Sequence, residues 1–314
     1  MSDDLDPRRR YDRAAYRVAH DVLAAYSTSF GLGTRILGRR ARAHIEAVYA
    51  LVRVADEIVD TRRGADAAAL LAELRAQTDR AMRDGWSSNP VVHAFARTAA
   101  RVGVDAGETD PFFDSMAMDL EVTTHDRESY RRYVYGSAEV VGVMCVKVFL
   151  NADRRPGEAV VVPDAETLTG ARALGAAFQK INFLRDLAAD HRDIGRSYFP
   201  GVTPDALDAE ALDDIVTEIG ADLSVARAAL PRLPGRARSA VAATLALYER
   251  LLGVLADTPP QEIIERRVRI SDPQKVLIAL QGILLELPRG DGEAAARARA
   301  SALPMTPRGG EETA

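Results

Sequence analysis

Gln179-Lys180-Ile181-Asn182-Phe183-Leu184-Arg185-Asp186-Leu187-Ala188-Ala189-Asp190 is the stretch on which the reading of the fold turns. Gln179, Asn182, Asp186 and Asp190 recur at steps of three, four and four, the spacing of one face of an α-helix. Phe178, Ile181, Leu184 and Leu187 flank that stripe. A helix apolar over most of its circumference is ordinarily buried. Its narrow polar stripe must then face an internal cavity rather than bulk water.

A second segment has the same construction: Tyr49-Ala50-Leu51-Val52-Arg53-Val54-Ala55-Asp56-Glu57-Ile58-Val59-Asp60. Asp56 and Asp60 share one face, and Arg53 and Tyr49 extend it toward the N-terminus. A single Asp-x-x-x-Asp pair is usually just a solvated acidic face. Two pairs, each in register with amide, Arg or Tyr side chains on an apolar helix, point instead to a site. Like charges one turn apart repel, and burial raises that cost. A bound cation removes both penalties. Oxygen-only ligands at open spacing suit magnesium, which keeps several waters and is shared with substrate phosphates. Two such pairs facing each other across a cavity would hold metal on a diphosphate and assist its departure.

Outward from these stripes, Ala, Leu, Arg and Glu dominate and β-branched alternation is rare, so the chain is expected to be all-α. Helices are expected near 8–26, 40–61, 66–84, 89–102, 108–123, 128–150, 164–192, 208–230, 235–256 and 273–286. Breakers such as Asn89-Pro90, Pro163-Asp164 and Pro259-Pro260 separate them. No repeat of 20–50 residues is present. One helical domain over 8–287 is expected, followed by a loose tail over 288–314, where Gly, Arg, Glu and Pro take over.

Composition narrows the function classes. The chain has 314 residues, 47% hydrophobic and 28% charged, as in an ordinary globular protein. Its net charge of −5 gives no electrostatic case for nucleic acid. The single cysteine, Cys145, excludes an intramolecular disulfide and a thiolate metal site, and its apolar neighbours suggest a buried structural thiol. His44, His93, His125 and His191 lack metal-ligand spacing. Met1 to Arg10 is charged and has no signal-like apolar run. The apolar run Val140 to Leu150 is interrupted by Lys147 and short for a membrane span. A cytoplasmic protein is expected, with room for peripheral contact with the inner face of the membrane.

Four segments together resemble the squalene/phytoene synthase family over about Tyr26 to Leu285. They are Tyr26-Ser27-Thr28-Ser29-Phe30; Asp56-Glu57-Ile58-Val59-Asp60; Tyr133-Val134-Tyr135-Gly136-Ser137-Ala138-Glu139-Val140-Val141-Gly142; and Leu174 through Asp190 to Gly195-Arg196-Ser197-Tyr198-Phe199-Pro200. The fourth is the most specific. Glu139 departs from the family by standing where a small residue is commoner, so it needs a partner if buried. Phe199 replaces a usual Leu. The resemblance implies an isoprenoid-synthase helical bundle around a central cavity. It implies magnesium, or manganese in its place, at Asp56, Asp60, Asn182, Asp186 and Asp190. Ser27, Ser29, Phe30, Tyr49, Arg53, Gln179 and Tyr198 would bind substrate, and Tyr133 would lie near the reacting carbons.

The expected reaction is head-to-head condensation of two isoprenyl diphosphates through a cyclopropyl diphosphate. Two geranylgeranyl diphosphates giving phytoene is the leading form, because Gly136-Ser137-Ala138 and the fourth segment look most like bacterial phytoene synthases. A squalene or dehydrosqualene synthase using two farnesyl diphosphates, with NADPH in the squalene case, stays open. So does a non-catalytic helical assembly protein that has kept the fold. The substrate tails are expected to lie along helix faces around Phe30, Val140, Met144 and Leu174.

Overall fold

The computed structural model describes residues 6–26, 34–62, 66–155 and 157–265, with residues 278 and 282. Ser27, Ser29 and Phe30 fall outside the described residues, as does nearly all of the helix expected over 273–286 and the whole tail over 288–314. Among the described residues the structure is helical, and the only strand-like pairing is an isolated bridge between Thr124 and Ser197.

Eleven α-helices follow one another among those residues: α1 (Pro7–Tyr26), α2 (Arg39–Glu57), α3 (Ala67–Asp84), α4 (Pro90–Val102), α5 (Ala106–Glu121), α6 (Arg127–Val134), α7 (Val140–Asn151), α8 (Ala165–Ala189), α9 (Ala209–Ala229), α10 (Gly235–Ala256) and α11 (Pro260–Glu265). Asx side chains start five of them. Asn89, Asp105, Asp126, Asp164 and Asp208 each accept hydrogen bonds from backbone N–H groups of the first turn, which otherwise lack partners. The short α11 was not expected from the sequence.

Three π-helical turns interrupt the regular helices, at Ile58–Arg62, Tyr135–Glu139 and Asp190–Ile194. Such turns gather at functional sites because they re-aim the side chains that follow them. Here Asp60 and Asp190 both sit in one, so each Asp-x-x-x-Asp pair straddles an α-to-π junction. The turn at Tyr135–Glu139 has a further effect on α7. Val140 and Met144 were expected to face the cavity, but they pack into the core, and Val141 and Cys145 take the cavity side. The extra width of the π turn rotates the face by one residue.

The core has two main parts. One joins α1–α5 with one side of α7, around Phe95, Phe112, Phe113, Ile45 and Leu51. The other joins α6 with α8–α11, around Ile181, Leu184, Ile219, Leu245 and Leu255. Burial of such side chains contributes roughly 1.5–3 kcal/mol each. Between them lies an apolar cavity of about 270 Å³. The segment 127–151 and α10 are long and apolar enough to cross a membrane by length and composition, but about half of each is buried inside the bundle.

The α7–α8 contact is unusually close. A Cβ on Gly142 would lie 2.2 Å from the Ala171 carbonyl oxygen, and one on Gly175 would lie 2.3 Å from that of Ala138. Only glycine permits this approach, which sets the two cavity-lining helices side by side.

Candidate active site

Both stripes end where α2 and α8 pass into π turns. On α2, Tyr49, Arg53, Asp56 and Asp60 are all partly buried. The Arg53 guanidinium lies over the Tyr26 ring, 4.4 Å from its centroid, and pairs with Glu57. Its Nε is buried without a hydrogen-bond acceptor. On α8, Gln179, Asn182, Asp186 and Asp190 are likewise partly buried. Arg185 holds Asp186 through two bonds of 2.5 and 3.0 Å. Asn182 hydrogen-bonds the Tyr248 hydroxyl, while its own Oδ1 is buried without a partner.

The two π turns meet at Arg196. Gly195, at φ 70°, reverses the chain after α8, and the Ser197 N–H then donates to the Thr123 carbonyl at 2.8 Å. That tether carries Arg196 back under the end of α2. Its Nη1 donates to Asp60 Oδ1 at 2.7 Å and lies 3.2 Å from Asp119 Oδ1. Its Nη2 donates to the backbone carbonyls of Asp119 at 2.7 Å and Val59 at 3.2 Å.

The electrostatics record how close the stripes come. Burial, then the neighbouring Asp60 charge, pushes Asp56 up to about 8. Burial pushes Asp190 up to about 7, with the charges of Asp186 on its own stripe and Asp60 on the other adding to the rise. Asp60 and Asp190 therefore act on each other across the site. Asp119 also rises to about 7, chiefly through burial, against the pull of Arg196 and Tyr133.

Aromatic rings close the space beside this cluster. Tyr198 stacks on Phe183 at 4.0 Å between centroids and on Tyr133 at 5.4 Å. The Tyr133 hydroxyl donates to Asp119 Oδ2 at 2.9 Å. His125 lies 5.0 Å from the Tyr133 ring.

The apolar cavity begins where the α8 stripe ends. Of the stripe residues only Gln179 lines it. Toward the helix N-terminus its wall continues as Phe178, Leu174 with Gly175, Gly170 with Ala171, and Thr167. Ser137, Ala138, Val141, Gly142, Cys145, Val146 and Phe149 form the facing wall. Aspartates and cavity are thus successive compartments along one helix rather than a single chamber. Cys145 is half-buried against this space, and burial pushes its thiol up to about 12. Burial raises Glu139 above the usual carboxylate range, and the charges of Arg172 and Lys180 pull it partway back.

The donor set fits a hard divalent cation. It is oxygen-only, its carboxylates are raised by burial and mutual repulsion, and it includes an amide oxygen with no partner. Among the described residues no three His, Cys, Asp or Glu side chains already converge on one point. Magnesium takes one or two carboxylates and completes its shell with water and phosphate oxygens.

Sequence reasoning missed Asp119, gave Arg196 no role and set His125 aside. Arg196 stood within the fourth motif segment. The signal for Asp119 was one acid inside the apolar run Met116-Ala117-Met118-Asp119-Leu120, where a charge needs a buried partner.

An all-α bundle with paired aspartate helices above an apolar cavity is an isoprenoid-synthase architecture. The squalene/phytoene synthase family profile matches residues 23–274. The phytoene synthase of Mycobacterium tuberculosis is 28% identical over 284 residues, covering 84% of this chain and 89% of its own length. The 15-cis-phytoene synthase of Synechocystis is 32% identical over 192 residues, 59% of this chain and 56% of its own. Among solved structures, a dehydrosqualene synthase bound to a ligand superposes with a TM-score of 0.74 at 19% identity, over 93% of this chain and all of its own. A squalene synthase from Alicyclobacillus acidocaldarius superposes at 0.68 with 21% identity, over 78% of this chain and 94% of its own. The chain belongs to the squalene/phytoene synthase family, and is a prenyltransferase that joins isoprenyl diphosphates head to head.

Proposed function

We propose that the enzyme condenses two geranylgeranyl diphosphates into phytoene, in a single helical domain over about 8–287, with magnesium held by Asp56, Asp60, Asn182, Asp186 and Asp190. One observation carries the choice of substrate: the length of the cavity wall on α8. Its residues fall at Thr167, Gly170 and Ala171, Leu174 and Gly175, and Phe178 and Gln179. At 1.5 Å per residue, that face runs roughly 18 Å. An isoprene unit advances a chain by four carbon–carbon bonds of about 1.5 Å, or about 5 Å end to end after bond angles are counted. At about 5 Å per unit, this face lies nearer the roughly 20 Å of a C20 tail than the roughly 15 Å of a C15 tail. A farnesyl tail would leave the Thr167 step unfilled.

Bound magnesium would neutralise the diphosphate and make it a better leaving group. The protein's own groups do the remaining work. Arg53, Tyr49, Gln179 and Tyr198, with Ser27 and Ser29, bind and orient the diphosphate ends, and Phe30 lies along the tail. Arg196 holds Asp60 in place. The Phe183, Tyr198 and Tyr133 rings and the apolar cavity keep water from the carbocation, and ring faces stabilise positive charge. Placing two tails side by side turns their encounter into an intramolecular event. The first condensation yields the cyclopropyl diphosphate, and a second ionisation rearranges it. Phytoene formation then ends in loss of a proton, so no reductant is needed. We place the enzyme in the cytoplasm, where peripheral contact with the membrane would receive the hydrocarbon product.

Incubation with farnesyl and with geranylgeranyl diphosphate, each with and without NADPH, tests the reading. Phytoene from the C20 substrate, unaffected by NADPH, is expected. Squalene or dehydrosqualene from the C15 substrate, with the C20 substrate inert, refutes the assignment. Neither substrate releasing diphosphate would mark a protein that has kept the fold without the reaction.

A further inference from the structure

The mechanism leaves one buried acid without a task. Asp119 projects from α5 between Met116 and Met118 on one side and the start of the α5–α6 loop on the other, and its side chain is only 4% exposed. Three features define its surroundings. Its Oδ2 accepts the Tyr133 hydroxyl proton at 2.9 Å. Its Oδ1 makes no hydrogen bond, although the Arg196 guanidinium lies 3.2 Å away. Arg196 is itself fixed by two backbone carbonyls and Asp60, so it cannot follow Asp119 if the carboxylate changes charge. The other charged or titratable groups that interact with Asp119 include Tyr133, Tyr198, Asp56, Asp60 and Asp190.

We propose that Asp119 is a positioning residue that receives the proton of Tyr133 in the last step of the reaction, making Tyr133 and Asp119 a two-member relay for the final deprotonation. The inference rests on the reading that the reaction ends in proton loss. In that step a carbon–hydrogen bond next to the cation breaks, and its electron pair becomes the new carbon–carbon double bond. The departing proton joins the phenol oxygen of Tyr133. The phenol's own proton moves along the existing hydrogen bond to Asp119 Oδ2. The carboxylate ends neutral, the phenol ends as it began, and the proton leaves to water when the product is released. No oxidant or reductant takes part.

The chemistry of the two groups requires the relay. Burial and the Asp119 charge hold the Tyr133 phenol well above its ordinary value of 10.0, so a free phenolate is not available near neutral pH. The phenol can accept a proton only by giving up its own at the same moment. Burial also places Asp119 at about 7, a value suited both to taking and to releasing a proton near neutral pH. A surface carboxylate would be too weak a base, and a fully unpaired buried one would stay protonated. The Arg196 ion pair sets the balance between those limits.

The test is product partition, which a merely structural role would not move. Asp119→Asn keeps the shape and an oxygen for the Tyr133 hydroxyl but cannot accept its proton. With geranylgeranyl diphosphate and magnesium, phytoene per diphosphate released should fall at least tenfold. Cyclopropyl diphosphate or water-captured alcohol should replace it. Tyr133→Phe should shift the partition the same way, and Asp119→Glu should restore phytoene in part. In the parent enzyme the phytoene fraction should fall on the acid side of the pH profile, where Asp119 is protonated in advance. This last arm holds even where Asp119→Asn fails to fold. An unchanged partition in Asp119→Asn, or a parent partition that does not fall at acid pH, overturns the relay. A parent that makes phytoene shows the substrate reading to be sound whichever way the variant behaves. A parent that makes none overturns that reading, and this inference with it.

Discussion

Replacing Asp56 with Asn should make the metal-free protein more stable while removing its activity. Asp56 carries the most strongly raised carboxylate of the site, from 3.8 to about 8, through burial and the Asp60 charge beside it. The sign follows directly. Below about pH 4 the carboxyl is protonated in both folded and unfolded chains, and its contribution is fully present. Between about 4 and 8 the unfolded chain loses the proton while the folded one keeps it, so stability is lost as pH rises. Each tenfold difference in proton affinity between folded and unfolded chains corresponds to about 1.4 kcal/mol, which sets a ceiling on the order of 5 kcal/mol for Asp56 alone. Relaxation of Asp60 and Arg53 lowers this to about 1–3 kcal/mol, or roughly 2–8 °C of melting temperature for a chain of this size. Asn removes the penalty and keeps the shape. Thermal melts followed by circular dichroism in EDTA should show parent and Asp56→Asn close together at pH 4.5. They should separate progressively, with the variant higher, to a plateau above pH 8. Added magnesium and diphosphate should then raise the parent more than the variant. A variant melting below the parent at pH 9 in EDTA, or a gap independent of pH, would refute the argument that Asp56 faces a strained anionic site.

The remaining predictions concern turnover and chain length. Asp186→Asn should lower diphosphate release by about 100-fold or more while far-ultraviolet circular dichroism stays unchanged, because it removes a charged metal ligand. Arg196→Met should raise the melting temperature's dependence on pH, because Asp119 loses the counter-charge that opposes its rise; a flat profile would refute that. Ala171→Phe should fill the third step of the cavity wall and shift use from the C20 to the C15 substrate by at least tenfold in kcat/KM. Each CH₂ excluded from an apolar wall loses about 0.8 kcal/mol of binding, so the loss of several is readily measured.

The architecture was largely legible in the sequence, for a physical reason. Eight of the expected helices lie within a few residues of observed ones, and the one expected over 128–150 is divided into α6 and α7 by a π turn; apolar periodicity is written locally, and Asx and Gly residues mark the ends. The two aspartate stripes were legible too, because Asp56 with Asp60 and Asp186 with Asp190 announce themselves by spacing. The π turns were not. Their wider hydrogen bonding depends on what the turn packs against, and nothing local distinguishes Tyr135–Glu139 from ordinary helix. That omission misplaced Val140 and Met144 by one residue. Asp119 and Arg196 were also hidden in part, because their partnership joins positions 77 residues apart through a tether at Thr123 and Ser197. A single acid in an apolar helix can only say that it needs a partner.

Crystallisation with manganese and an unreactive thio-diphosphate analogue of the C20 substrate would locate the metal, the diphosphate and the tail together. Anomalous peaks are expected between α2 and α8, within about 2.0–2.2 Å of carboxylate oxygens from both stripes and in contact with the analogue's phosphate oxygens. Its tail should run down the α8 wall past Leu174 and Ala171 toward Thr167. Metal bound to neither stripe, with the diphosphate seated elsewhere in the bundle, would contradict this arrangement.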